Sequence, residues 1–264
     1  MSNDVPDQEI LAEQLSDTRW RAVEVIAETG STNADLIARI DAGEDVDGIV
    51  LIAARQTSGR GRHARVWETP PGQLAVSAAI AVDADAIRSL GWLSLLTGLA
   101  VHDAVSALTG TGLELKWPND VLAPGGGKLS GILSEFRLTG DGGGVAVIGT
   151  GLNLDLPAGS APDTAASISG LADAPVDQTR VAAAYLRALS ERLADWPDRI
   201  DVLAGNYRSV SATLGSRVRL ILPGDVEVVG IATDIDDEGR VIVDGPDGPV
   251  TASAGDVTHL RPVD

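Results

Sequence analysis

The chain has 264 residues, 44% of them apolar and 22% charged, enough to bury one large domain, or a large and a small one, and unlike a membrane or disordered chain. It has no cysteine, which excludes disulfides, thiolate nucleophiles and Cys-ligated zinc, and its three histidines, His63, His102 and His259, are too scattered to suggest a metal cage. A net charge of −18 disfavours general binding to nucleic acid or anionic lipid, so neither DNA nor a membrane is an expected partner.

Residues 1–20 are polar and acidic and read as a flexible tail with room for one short helix. They carry no basic start followed by an apolar run, so no secretory signal is recognised and a cytoplasmic location is expected. Ser31, Thr32 and Asn33 are cap-type residues, Asp35 falls in the first turn, and Leu36, Ile37 and Ile40 make an apolar stripe ending at Gly43, which predicts a short capped helix. Residues 48–54 form a continuous apolar run of strand length. Residues 74–82 alternate large and small side chains, a strand covered closely on its small-residue face. Helical spacing over 84–108 closes on Gly110; its most apolar part, 90–101, is too short to span a bilayer.

Strands are predicted over 113–117 and 129–138, on either side of a tight loop, and over 145–154. A helix over 177–196 is entered from Pro175 and left at Pro197, and a second one follows to about residue 210. Beyond Leu214 the pattern switches to short β segments, 217–222, 226–235, 240–243 and 250–254, separated by Pro-Gly, Asp-Glu-Gly and Gly-Pro-Asp-Gly turns. The expected organisation is a tail over 1–20, a larger domain over 21–211 and a small β domain over 212–264. So small a module has little core of its own and should lean on the larger one.

Eighteen of the twenty basic residues are arginine, and the two lysines, Lys116 and Lys128, fall within thirteen residues of each other. Lysine supplies a compact, mobile point charge that arginine does not. Residues 56–67 read QTSGRGRHARVW, with Arg55, Arg60, Arg62 and Arg65 inside eleven residues and no carboxylate between Asp47 and Glu68. In so acidic a chain this is a cationic island. A bound polyanion would offset its self-repulsion, and Gly59 and Gly61 would let the backbone wrap it; a solvated loop paired with neighbouring acids has the same composition.

Residues 116–120 read KWPND and hold a cation, an amide and a carboxylate at a strand end, a set suited to a phosphate and its Mg²⁺, or simply a strand end and turn. Residues 128–135 read KLSGILSE, in which Gly131 allows close approach over a sheet and Lys128 could equally be an edge lysine that discourages pairing. Residues 149–153 read GTGLN, where Asn153 offers a donor and an acceptor to an adenine edge and the glycines could serve packing. No Walker loop, nucleophile elbow, dinucleotide fingerprint or paired-His zinc motif is present.

These motifs, with Gly30 to Asn33 ahead of them, occur in the order and spacing of the biotin protein ligases, which the chain resembles over residues 25–264. The resemblance implies an α/β (α+β) catalytic domain, a mixed sheet flanked by helices, followed by a small SH3-like β-barrel. It implies an ATP-dependent enzyme that makes biotinoyl-5′-AMP, releases pyrophosphate and passes biotin to a lysine of a biotin carboxyl carrier domain of an acyl-CoA carboxylase.

Carried over position by position, Ser31, Thr32, Asn33 and Gln56 would surround biotin, with Arg60, Gly61 and Arg62 in a loop closing over biotin and phosphate and Gly131 beneath the ligand. Arg65 and Trp67 would order that loop over the adenylate. Lys128 would be the principal catalytic lysine, with Lys116 and Arg62 supporting the phosphates, Asn119 and Asn153 contacting the nucleotide, and Asp120 near Mg²⁺. His63 and Ala64 replace residues that are frequently Arg and Gly, and an alanine there is a poor fit to a left-handed backbone. The loop is expected to be mobile without ligand and to order with it.

A lipoate ligase would share the fold type, but its glycine-rich Arg and His signature is not found. A biotin-responsive repressor is disfavoured because no DNA-binding domain is expected ahead of residue 21, and retention of both lysines disfavours a non-catalytic sensor. The oligomeric state stays open, a monomer among the options.

Overall fold

The computed structural model describes residues 5–62, 67, 71–140, 142–156, 164–172, 174–222, 226–253 and 256–259. The expectations for Arg65, His63 and Ala64 lie outside the described residues.

The larger part is built on seven strands: β1 (Ala22–Thr29), β2 (Ile49–Gln56), β3 (Gln73–Val82), β4 (Glu114–Lys116), β5 (Asp120–Leu122), β6 (Lys128–Leu138) and β7 (Gly144–Asn153). They form one mixed sheet in the order β1-β2-β3-β7-β6-β5-β4. β1 and β2 are parallel and all other neighbours antiparallel. The helices are α1 (Gln8–Gln14), α2 (Thr32–Asp41), α3 (Gly91–Thr109), α4 (Ile168–Ala172), α5 (Gln178–Ala194) and α6 (Ile200–Val210).

Side-chain alternation along β2 and β3 assigns the two faces of the sheet. Val50, Ile52, Leu74, Val76, Ala78 and Ile80 join the main core under α3 and α5. Leu51 and Ala79 point the other way and pack with Leu36 and Ile37 of α2. α3 is apolar all round, with Trp92, Leu93, Leu96 and Leu99 almost completely buried, because it is enclosed between the sheet and α5. Its 19 residues are long and apolar enough to cross a bilayer, longer than the apolar stretch 90–101 suggested, but most of the helix is buried in the fold.

The expectation of a flexible tail over 1–20 is corrected for residues 5–20, the part of it the structure describes. Asp7 caps α1 by accepting from the backbone N–H groups of Glu9 and Ile10 at 3.0 and 3.1 Å. Leu11 and Leu15 are fully buried, and the Trp20 indole N–H donates to the Leu186 carbonyl at 2.8 Å. Three apolar residues spaced among acids anchor this segment to α5. The helical stretch 84–108 divides into a 3-10 turn, Ala84–Ser89, and α3.

Strands β8 (Arg217–Leu222), β9 (Val226–Ile235), β10 (Val241–Gly245), β11 (Gly248–Ala252) and β12 (Asp256–His259) form the small C-terminal antiparallel sheet, in the order β11-β10-β9-β8-β12. It leans on the larger part through the turn between β9 and β10. Two indoles meet that turn: Trp92 donates to the Asp236 carbonyl and Trp117 to the Gly239 carbonyl, both at 3.1 Å. A Cβ on Gly91 would stand 2.3 Å from the Glu238 carbonyl oxygen, so this approach requires glycine.

Candidate active site

The site begins where the two parallel strands end. Thr29 and Gln56 are register partners at the ends of β1 and β2, and the chain turns from β1 into α2 through Gly30 and Ser31. Ser31 is the N-cap of α2, its Oγ accepting from the Ala34 N–H at 3.4 Å. That geometry aims Thr32 and Asn33 over the sheet, where both are buried. Gln56 Oε1 accepts from the Thr32 N–H at 2.9 Å and from its hydroxyl at 3.1 Å.

At the other side the hairpin β4–β5 and β6 supply the charge. Asp120 pairs with Gly131 and Val121 with Ser130, but Leu122 pairs with Lys128, so Leu129 is an extra residue in a β-bulge. The bulge brings Lys128 and Gly131, three apart, to the same face, and Leu129 is fully buried. Lys128 Nζ thereby lies 2.6 Å from Asp120 Oδ1. Lys116, opposite Asp120 in the hairpin, borders the same space.

Between these two sides lies a cavity of about 350 Å³ on the α2 face of the sheet. Ser31, Thr32, Asn33, Gln56, Arg60, Gly61, Arg62, Trp67, Lys116, Asn119, Asp120, Lys128 and Gly131 all line it, which brings together the sequence-predicted residues from four separate motifs. The C-terminal sheet adds Val257 to the wall. Arg62 Nη1 donates to Asn119 Oδ1 at 3.4 Å, while Asn119 Nδ2 donates to the Ile132 carbonyl at 2.9 Å. Among the described residues no cluster of three carboxylate or imidazole groups could hold a metal.

The arginine-glycine segment leaves and rejoins the sheet at a narrow neck. The Trp67 N–H donates to the Gly59 carbonyl at 2.9 Å, and a Cβ on Gly59 would stand 2.3 Å from the Trp67 carbonyl oxygen. Beyond that neck the Trp67 indole lies on the cavity floor across Gly131 and Gly151, which are register partners. A Cβ on either would come within 2.8 Å or 2.3 Å of the ring, so the two glycines make its seat. Lys128 Nζ stands 5.4 Å from the ring centroid. The indole N–H is buried with no acceptor among the described residues.

Asn153, expected at the nucleotide, is 3% exposed and outside the cavity lining. Its Nδ2 donates to the carbonyls of Lys128 and Ala166, both at 3.0 Å, and its Oδ1 accepts from Gln73 Nε2 at 2.8 Å. With Nδ2 and one acceptor position of Oδ1 engaged by the protein, Asn153 holds the backbone of Lys128.

Several residues were not singled out by the sequence reading. Ser77, fully buried, lies 2.7 Å from Thr32 Oγ1 and 2.6 Å from Asn33 Oδ1, and Gly149 leaves room for Asn33, since a Cβ there would stand 2.3 Å from Asn33 Oδ1. Their signals, a hydroxyl in an alanine-rich strand and a glycine in a weak motif, are short and ambiguous. Thr150, on the cavity floor, shares a hydrogen bond of 2.7 Å with the Tyr185 hydroxyl. Burial pushes the Tyr185 phenol up, against that bond, and keeps it neutral. Burial likewise raises Tyr207, behind the hairpin, against the opposing hydrogen bond of Ser211.

The biotin/lipoate A/B protein ligase family matches residues 25–153, and the biotin protein ligase C-terminal domain matches residues 213–260. The biotin–[acetyl-CoA-carboxylase] ligase of Mycobacterium tuberculosis is 46% identical over 97% of this chain and 96% of its own. The ligase of the same name from Paracoccus denitrificans is 32% identical over 88% of this chain and 98% of its own. The structure of Aquifex aeolicus biotin protein ligase in complex with biotin and ATP superposes with a TM-score of 0.75 at 26% identity, over 92% of this chain and 100% of that one. Two domain matches in the order of the two sheets, a nearly full-length relative and one shared architecture lead to a single assignment: the chain belongs to the biotin protein ligase family.

Proposed function

We infer that the protein activates biotin with ATP to biotinoyl-5′-AMP and transfers biotin to a lysine of the biotin carboxyl carrier domain of an acyl-CoA carboxylase. The observation that carries this reading is the convergence of both lysines of the chain with Arg62 on one cavity whose far wall is the polar set of buried Ser31, Thr32 and Asn33 and partly buried Gln56. Polar groups recognise a ureido ring at one end and cations receive phosphate at the other.

In the first step a biotin carboxylate oxygen attacks the α-phosphorus of ATP, a new O–P bond forms, and pyrophosphate leaves with the bond electrons. Both reactants are anions, so positioning and positive charge must do most of the work. Lys128 is assigned to the phosphoryl oxygens that gain charge, with Lys116 and Arg62 beside it. Asn119 holds Arg62 in place and borders the nucleotide. In the second step the carrier lysine, as the free amine, attacks the biotinoyl carbonyl and AMP departs. Arg60, Gly61 and Arg62, at the mouth of the cavity, are placed to shield the anhydride from water.

For Mg²⁺, one carboxylate with substrate phosphates is an ordinary donor set, and Asp120 offers that carboxylate while already bridged to Lys128. Mg²⁺ would be held there by Asp120 and the phosphates of ATP, and would neutralise phosphate charge. A cytoplasmic site of action fits a carrier-modifying enzyme with intracellular ATP.

The test is isotope exchange between pyrophosphate and ATP. It should depend on biotin and not on lipoate, and a purified carrier domain should then gain one biotin by mass spectrometry. Exchange supported by lipoate alone would overturn the reading.

A further inference from the structure

We propose that Glu135 is a positioning residue for biotin recognition: it fixes the amide of Asn33 with one carboxylate oxygen and holds Arg60 of the ligand loop with the other. The inference rests on the functional reading above. Glu135 lies on β6, on the same face as Leu133, with its side chain 21% exposed. Its Oε2 accepts from Asn33 Nδ2 at 3.0 Å, and the same nitrogen donates to the Leu133 carbonyl at 3.2 Å.

Both amide hydrogens of Asn33 are thus committed to the sheet. Its Oδ1 then turns toward Ser77 Oγ, 2.6 Å away, in the space left by Gly149. The reverse orientation would set Oδ1 against two acceptors, the Glu135 carboxylate and the Leu133 carbonyl. An asparagine carbonyl has capacity for two donors. With Ser77 as one, the remaining position serves an N–H group from the cavity, and a ureido ring carries N–H groups. An NH₂ presented there would repel the same ring. Glu135 therefore decides which end of Asn33 the ligand meets.

The second oxygen, Oε1, lies 3.5 Å from Arg60 Nη1. Arg60 is half exposed, and an exposed ion pair alone contributes little. Here the partner carboxylate is already fixed by Asn33, so the pair ties the near end of the loop to the residue that meets biotin.

Three proteins distinguish this from a bystander ion pair: wild type, Glu135→Ala and Glu135→Gln. Each is titrated with biotin alone, without ATP, and assayed for biotin-dependent ATP–pyrophosphate exchange. Glu135→Ala should weaken biotin binding and raise KM for biotin by about tenfold or more, the loss expected for one charge-assisted hydrogen bond, with kcat within about threefold of wild type. Glu135→Gln keeps an acceptor for Asn33 but loses the charge facing Arg60. It should restore most of the affinity while biotin dissociates faster than from wild type. Biotin affinity within about twofold of wild type in Glu135→Ala would overturn the proposal, as would equal losses in both variants or a fall in kcat with KM unchanged. Failure of wild type to bind biotin would overturn the functional reading instead, and this inference with it.

Discussion

Replacing Lys128 with alanine should separate chemistry from folding. The ammonium forms a 2.6 Å ion pair with Asp120, with side chains 37% and 22% exposed. At that exposure the pair contributes about 1 kcal/mol to stability, and its loss should lower Tm by about 2–4 °C in a chain of this size. The effect on adenylate formation is larger. A unit charge about 4 Å from a phosphoryl oxygen, at an effective dielectric of about 20, interacts by about 4 kcal/mol. Asp120 neutralises part of this, and only the share that grows in the transition state counts, leaving about 2.7–4 kcal/mol, or 10²- to 10³-fold in rate.

The assay is single-turnover formation of biotinoyl-5′-AMP at saturating biotin and ATP, with thermal denaturation alongside. Lys128→Arg should rescue poorly. The lysine Cε stands 3.0 Å from where a Gly131 Cβ would be, and the Trp67 ring closes the other side, so a planar guanidinium lacks the room that a point charge has. Turnover within about threefold of wild type in Lys128→Ala, with the fold intact, would refute the assignment of this lysine to the phosphoryl group.

Arg62→Ala should accelerate release of preformed biotinoyl-5′-AMP by about tenfold or more while changing biotin binding much less, because the lost partner is the phosphate; stopped-flow release rates for adenylate and biotin decide it. Asn153→Ala should cost about 1–3 kcal/mol in denaturant unfolding, since it removes a partner of the Ala166 carbonyl and of the buried Gln73 amide, while the Lys128 carbonyl keeps the Ala166 N–H, and an unchanged unfolding midpoint would contradict this. For Asp103, burial opposes ionisation, but hydrogen bonds from His102 and Arg192 outweigh it and hold the carboxyl below its ordinary value. A depressed carboxyl stabilises the fold above the unfolded pKa and loses that contribution as pH falls through the folded value. Asp103→Asn should therefore cost about 1 kcal/mol near neutral pH, discounted for the side chain's partial exposure, and much less below about pH 3; an equal cost at both would refute the coupling.

The fold was legible where local chemistry and tertiary packing agree. The Ser31 cap, the apolar run of β2, the large-small alternation of β3 and the Gly110 stop after α3 each state their structure in a few neighbouring residues. β1 and the first twenty residues were not legible. β1 reads AVEVIAET, an edge strand whose Glu24 and Glu28 face outward to pair with Arg39 and Arg55, so its apolar face is broken. The N-terminal anchors Leu11, Leu15 and Trp20 lie on α1, in the turns after it and just before β1, and their burial depends on α5, some 170 residues away in the chain. Strand β5, three residues long, is below the length at which alternation is visible.

The site divides along the same line. Residue type announced which groups carry charge, so the two lysines, Arg60, Arg62 and Asp120 were found in sequence, whereas what orients them was not. A lysine three residues from a glycine looks misphased for a strand, since period two would send them to opposite faces. The bulge at Leu129 reverses that phase, and it is set by pairing with β5 and by burial of the leucine, neither of which is local. Asn153 shows the converse. Its chemistry suits an adenine edge, but its amide also works inside the protein, holding the strand from which Lys128 projects. Glu135 passed unnoticed because a lone carboxylate on a strand has an ordinary surface role until Asn33, distant in sequence, is laid against it. What sequence could not supply at each of these positions was the partner, and it is the partner that determines whether a polar side chain faces the ligand or supports one that does.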